Sequence, residues 1–91
     1  MAKIEIYSGP FCPYCVRAKR LLSERSLAFV EYDVQADPGR RSEMLERSNG
    51  ARTIPQIFIN DRHVGGCDEL YALDRMGDLK GWLSLEEVEA K

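Results

Sequence analysis

Two cysteines, Cys12 and Cys15, stand three positions apart where an alternating strand pattern gives way to a helical one, and this junction constrains the fold more than any other stretch. Before it, Ile4 and Ile6 alternate with Lys3, Glu5 and Tyr7, the period-2 mark of a half-buried strand. After it, Cys15, Ala18, Leu21 and Leu22 recur at helical spacing on one face, while Arg17, Lys19, Arg20 and Glu24 fall mainly on the other. A helix that begins at or just after Cys12 has Pro13 at its first position, where a missing N–H costs nothing and the fixed φ suits the helix. Cys12 then sits at the positive end of a helix, with Cys15 one turn inside. That arrangement favours a thiolate at Cys12 and allows a short disulfide back from Cys15. From these residues alone, the expectation is a thiol–disulfide redox site.

The composition narrows the alternatives. Ninety-one residues, 44% hydrophobic and 31% charged, fit one domain over residues 1–91 with a single core. A formal net charge of −2 gives no global argument for nucleic acid or an anionic membrane, so neither is expected as a partner. The stretch from Met1 to Ile6 lacks the apolar run and cleavage site of a secretory signal, and no run approaches transmembrane length. A cytoplasmic location is therefore expected. Three cysteines are too few, and odd in number, for a secreted disulfide scaffold. In a reducing compartment a close pair is catalytic or metal-binding.

Further along, Ala28 to Val34 reads as a second strand, and Asp37-Pro38 as a helix start with a side-chain cap. That helix carries Met44 and Leu45 inward and stops at Asn49-Gly50. Thr53 to Ile59 is a third strand, nearly continuously apolar and so central, with Pro55 at its entry because proline cannot donate to a ladder. Asn60-Asp61-Arg62 turns the chain into a short fourth strand, His63 to Gly65. Gly66-Cys67-Asp68 opens a third helix with Leu70, Leu73 and Tyr71 toward the core and Gly77 as its stop. Leu79, Trp82, Leu83 and Leu85 have helical spacing and would cover the sheet, with residues 84–91 as a solvated extension. The order β-α-β-α-β-β-α predicts an α/β fold, a four-stranded mixed sheet with helices on both faces.

Cys12-Pro13-Tyr14-Cys15 resembles the active site of the glutaredoxin family rather than that of thioredoxins, whose middle pair is usually Gly-Pro. Thr53-Ile54-Pro55 resembles that family's Thr-Val-Pro strand, in which the proline is cis, and Gly65-Gly66-Cys67-Asp68 is similar to its Gly-Gly-Cys-Asp segment. The resemblance runs from Lys3 to Leu83 and is nearest the small bacterial dithiol type. One departure stands out: many members carry a lysine three residues before the first cysteine, where this chain has Gly9.

The resemblance implies a thioredoxin-like fold and a glutathione-dependent thiol–disulfide oxidoreductase, with Cys12 as nucleophile and Cys15 as resolving thiol of a Cys12–Cys15 redox disulfide. It further implies a glutathione site made by Cys12, Tyr14, Thr53, Ile54, Pro55, Gly66, Cys67 and Asp68. Arg40 or Arg41, of which Arg41 is taken, would meet the glycyl carboxylate. Glutathione is then co-substrate, with no metal expected; the partners are disulfide-containing or glutathionylated proteins and, through glutathione, glutathione reductase, and the protein is expected to be a monomer. Two other readings compete. One is an iron–sulfur carrier in which two chains hold a cluster through Cys12 and glutathione, and the other a redoxin reduced by thioredoxin reductase. The residues themselves also allow a zinc set of Cys12, Cys15, His63 and Cys67. Against that, His63 reads as a solvated hairpin residue and Cys67 as a cap or packing residue.

Overall fold

The strand from Ile4 to Ser8, β1, lies inside the sheet and is buried along its whole length. The computed structural model describes residues 2–83. β1 leads into α1 (Pro13–Glu24), β2 (Val30–Asp33) and α2 (Pro38–Arg47). The hairpin of β3 (Gln56–Ile59) and β4 (Arg62–Gly65) follows, then α3 (Cys67–Arg75) and the short α4 (Leu79–Leu83). The sheet order is β2-β1-β3-β4, with β1 parallel to β2 and antiparallel to β3, and β3 antiparallel to β4. This is the thioredoxin-like, mixed four-stranded sheet that the sequence predicts. No helix among the described residues is long and apolar enough to cross a membrane.

Helices cover both faces. On one, Ala18, Leu21 and Leu22 of α1 and Leu70 of α3 close over Ile4, Ile6, Ile57 and Ile59, joined by Leu79. Tyr71, Leu73 and Trp82 pack against this cluster, as their spacing predicts. On the other face Met44 of α2 meets Tyr7, Val34 and Phe58. Leu45, expected to point inward beside Met44, is only half-buried. The cap signals hold: the Asp37 carboxylate accepts from the N–H groups of Gly39 and Arg40, and α2 runs out into left-handed Asn49 and Gly50.

The half-buried reading of β1 needs correction. Glu5 and Tyr7 are as buried as the isoleucines they alternate with. α2 lies over that face and satisfies its polar groups. Arg47 donates to both carboxylate oxygens of Glu5, at 2.9 and 3.1 Å, and to the Tyr7 hydroxyl at 2.7 Å. The Tyr7 hydroxyl donates to Glu43, and that of Tyr32 to Glu5. Burial and the Glu43 carboxylate push the Tyr7 phenol up to about 12. Burial alone would raise Glu5, but its bonds to Arg47 and Tyr32 hold it below the usual carboxylate range.

Boundaries differ in the expected places. β2 is shorter than Ala28 to Val34, β3 begins only at Gln56, and β4 starts one residue early, at Arg62. Residues Thr53 to Pro55 lie outside the ladder, since Pro55 has no N–H to give it. The expected extension at residues 84–91, with Leu85, lies outside the described residues.

Candidate functional site

The site forms where β1 hands over to α1. Cys12 is the N-cap of α1, with extended backbone, and Pro13 takes the first helical position. The N–H of Cys15 donates to Cys12 Sγ at 3.2 Å, so a sulfur satisfies one of the donors that every helix start leaves open. Cys12 and Cys15 are joined as a disulfide, with Cα atoms 5.2 Å apart. Cys15 lies on the buried face of α1 and is 1% exposed, whereas Cys12 is half-buried at the surface. Only one sulfur of the pair is thus open to a partner.

The loop before β3 faces that sulfur. Cys12 Sγ is 3.9 Å from the Ile54 carbonyl oxygen, and the Ile54–Pro55 peptide is cis. Beyond it lies an open groove of about 180 Å³ lined by Tyr14 of α1, by Thr53, Ile54 and Pro55, and by residues 66–69. Tyr14 stays half exposed.

The far side is the start of α3. Gly66 is its N-cap, and its N–H donates to Glu69 Oε1 at 2.7 Å, the return half of a capping box. Cys67 and Asp68, at the first two helical positions, have N–H groups without an intrahelical acceptor, at the positive end of the helix. Gly65 has φ +120°, and a Cβ there would come within 2.9 Å of Glu69, so this tight entry into α3 requires glycine. Cys67 is 4% exposed, and burial pushes its thiol up. Its place is that of a packed residue at the base of the groove.

Of the residues singled out from sequence, Tyr14, Thr53, Ile54, Pro55, Gly66, Cys67 and Asp68 line one groove, with Cys12 against Ile54 beside it. Arg41 is exposed on the first turn of α2 and does not line the groove. Arg40 is engaged elsewhere, with Glu43 and over the Tyr32 ring. Gly9 sits behind Ile54, where a Cβ would lie 3.0 Å from Ile54 Cδ1. Among the described residues no three or more His, Cys, Asp or Glu side chains are grouped to hold a metal ion, so the four zinc candidates do not assemble.

Two contributors, Glu69 and Gln56, were not singled out from sequence, and a third, His63, was read there only as a zinc candidate or a solvated hairpin residue. Glu69 lines the groove, and its place three residues after Gly66 is a capping-box signal that could have found it. Gln56, buried beneath Thr53, donates from Nε2 to the Thr53 carbonyl at 3.0 Å and to its hydroxyl at 3.2 Å. His63, exposed as expected, is nevertheless fixed: it stacks on Phe58 with 4.9 Å between ring centroids, and its Nε2 is 2.6 Å from Gln56 Oε1. Nothing local in the sequence links residues 53, 56 and 63.

Comparison with known proteins agrees with this geometry. The glutaredoxin family profile matches residues 4–64. Glutaredoxin 3 of Escherichia coli K12 is 52% identical over 79 residues, 87% of this chain and 94% of that protein. The solution structure of a glutaredoxin from Brucella melitensis superposes with a TM-score of 0.78 at 52% identity, covering 91% of this chain and 89% of that one. A crystal structure of a buckwheat glutaredoxin–glutathione complex gives 0.79 at 26% identity over 89% of this chain and 76% of that one. With its redox disulfide at the head of α1 and its groove between the cis-proline loop and α3, the chain belongs to the glutaredoxin family of oxidoreductases.

Proposed function

We propose that the protein uses glutathione to reduce protein–glutathione mixed disulfides and protein disulfides, with Cys12 as the attacking thiol and Cys15 as the resolving one. The observation that carries this reading is the position of the accessible sulfur, 3.9 Å from the Ile54 carbonyl at the edge of the groove between the cis-proline loop and α3. The glutathione complex of the buckwheat relative supports it.

In the reduced protein the N–H of Cys15 and the helix N-terminus favour the Cys12 thiolate, the species that attacks. The thiolate attacks the glutathione sulfur of a mixed disulfide. A Cys12–glutathione disulfide forms, the S–S bond between glutathione and the substrate protein breaks, and that protein leaves as a thiolate that takes up a proton. A second glutathione thiolate then attacks the bound glutathione sulfur, releasing oxidised glutathione and restoring Cys12. With a protein disulfide, Cys12 first forms a mixed disulfide to the protein. Cys15, deprotonated as it attacks Cys12 Sγ, closes the internal disulfide and expels the substrate as a dithiol. Two glutathiones reopen that bond, and glutathione reductase recycles them.

The groove supplies the contacts for an extended tripeptide. Main-chain groups of Ile54 pair with its backbone as an added strand would. The open N–H groups of Cys67 and Asp68 receive the γ-glutamyl carboxylate, and the Asp68 carboxylate faces the ammonium. Tyr14 flanks the approach to Cys12. Arg41, if it takes the glycyl carboxylate, must reach across from α2.

The test is to trap the intermediate. Cys15→Ser, treated with a glutathionylated peptide, should accumulate one glutathione per chain on Cys12, read by mass spectrometry. Modification at Cys67 instead, or none, would overturn the assignment.

A further inference from the structure

Gln56 is a buried polar side chain with every hydrogen-bonding group spoken for, and its partners fix the direction of each bond. A carbonyl oxygen only accepts, so the end of the Gln56 amide that meets the Thr53 carbonyl is its NH₂ end. Oε1 therefore faces His63, and His63 Nε2, 2.6 Å away, carries a proton and donates it. The His63 ring is held in that place by its stack on Phe58. At the other end, the Thr53 hydroxyl accepts from Gln56 Nε2. Its own hydrogen is turned away from Gln56, and Thr53 lines the groove.

We propose that Gln56, held by His63, is a positioning residue that turns the Thr53 hydroxyl into a hydrogen-bond donor for an oxygen of the tripeptide in the groove. The inference rests on the glutathione reading given above. The relay runs from β4 to the groove in three bonds of one direction: His63 to Gln56, Gln56 to Thr53, Thr53 to ligand. It also engages the Thr53 carbonyl, leaving the main chain of Ile54 as the acceptor nearest Cys12.

The experiment is steady-state kinetics with a glutathionylated peptide, whose glutathionyl group occupies the groove, as the varied substrate and glutathione held constant. Gln56→Glu keeps the size but can only accept, so it draws the Thr53 hydrogen away from the groove. Its KM for the glutathionylated peptide should rise about tenfold with kcat within about twofold of wild type. Gln56→Met removes the relay without reversing it and should raise KM only about threefold, and His63→Phe, which keeps the stack and loses the N–H, about as much. In a Thr53→Val background the extra effect of Gln56→Glu should shrink to under about twofold. Reduction of the Cys12–Cys15 disulfide by dithiothreitol at the wild-type rate confirms an intact fold in each variant. His63→Phe carries the test if Gln56→Glu does not fold. Unchanged KM values, equal losses in Gln56→Glu and Gln56→Met, or an undiminished effect in the Thr53→Val background would overturn the proposal. A wild-type protein inert to glutathione would instead overturn the glutathione reading itself.

Discussion

The two sides of the groove are built from different materials. On the α1 side, chemistry resides in side chains: a half-buried Cys12 sulfur, a buried Cys15 and an exposed Tyr14. On the opposite side, Thr53 to Pro55 and Gly66 to Asp68 offer mainly backbone groups that other residues hold in place, Glu69 for Gly66 and Gln56 for Thr53. A reactive side chain is all-or-none under substitution, whereas a surface of main-chain contacts loses affinity in small steps. The difference predicts which changes affect kcat and which affect KM.

The largest effect should come from the reactive side. Cys12→Ser should lower glutathione-dependent reduction of a glutathionylated peptide by more than about a thousandfold, because no other group can carry the covalent step. Cys15→Ser should retain most of that activity and lose the reduction of protein disulfides; comparable losses in both variants would erase the distinction between the two cysteines. On the binding side, Asp68→Asn removes an exposed charge facing the ligand ammonium. It should raise KM for the glutathionylated peptide about threefold to fivefold with little change in kcat, an effect that weakens in high salt. A kcat loss instead would place Asp68 in the chemistry.

A smaller effect concerns Gly9, where the resemblance leads one to expect a lysine. Any side chain there meets Ile54 Cδ1 at 3.0 Å, so the restored cation would push on the loop that faces Cys12. Gly9→Lys alone should therefore leave KM for the glutathionylated peptide within about twofold of wild type. Gly9→Lys with Ile54→Val, which removes the Cδ1 atom, should lower it about threefold. A full gain from the single substitution would mean that the Ile54 contact does not matter.

The two faces of the sheet explain why some of this was legible and some was not. The core under α1 and α3 is apolar, and periodicity alone identified Ile4, Ile6, Leu21, Leu22 and Leu70. The face under α2 buries Glu5 and Tyr7, which the same rule assigned to solvent. Its burial depends on Arg47, forty-two positions from Glu5, and no local pattern encodes such a pairing. The site divides in the same way. Cys12-Pro13-Tyr14-Cys15 announces itself by spacing and type, and resemblance located the other two segments. The hydrogen bonds among Thr53, Gln56 and His63, and the packing of Ile54 on Gly9, exist only once the chain is folded.

The Glu5–Arg47 pair gives the mildest prediction. Glu5 titrates below 4.5 in the folded protein, so its contribution is present above that pH and is lost as pH falls through the folded value. Glu5→Gln should be less stable than wild type at neutral pH, with a flatter decline in Tm between about pH 5 and pH 3. Parallel acid limbs would mean that Glu5 gains nothing from Arg47.

The central claim, that this groove serves glutathione, is tested most directly by reducing the oxidised protein with NADPH as the ultimate donor through either of two routes. One supplies glutathione and glutathione reductase, the other thioredoxin reductase, and opening of the Cys12–Cys15 disulfide is followed in each. The account predicts rapid opening by the glutathione route and little by the other. Opening by thioredoxin reductase alone would contradict it.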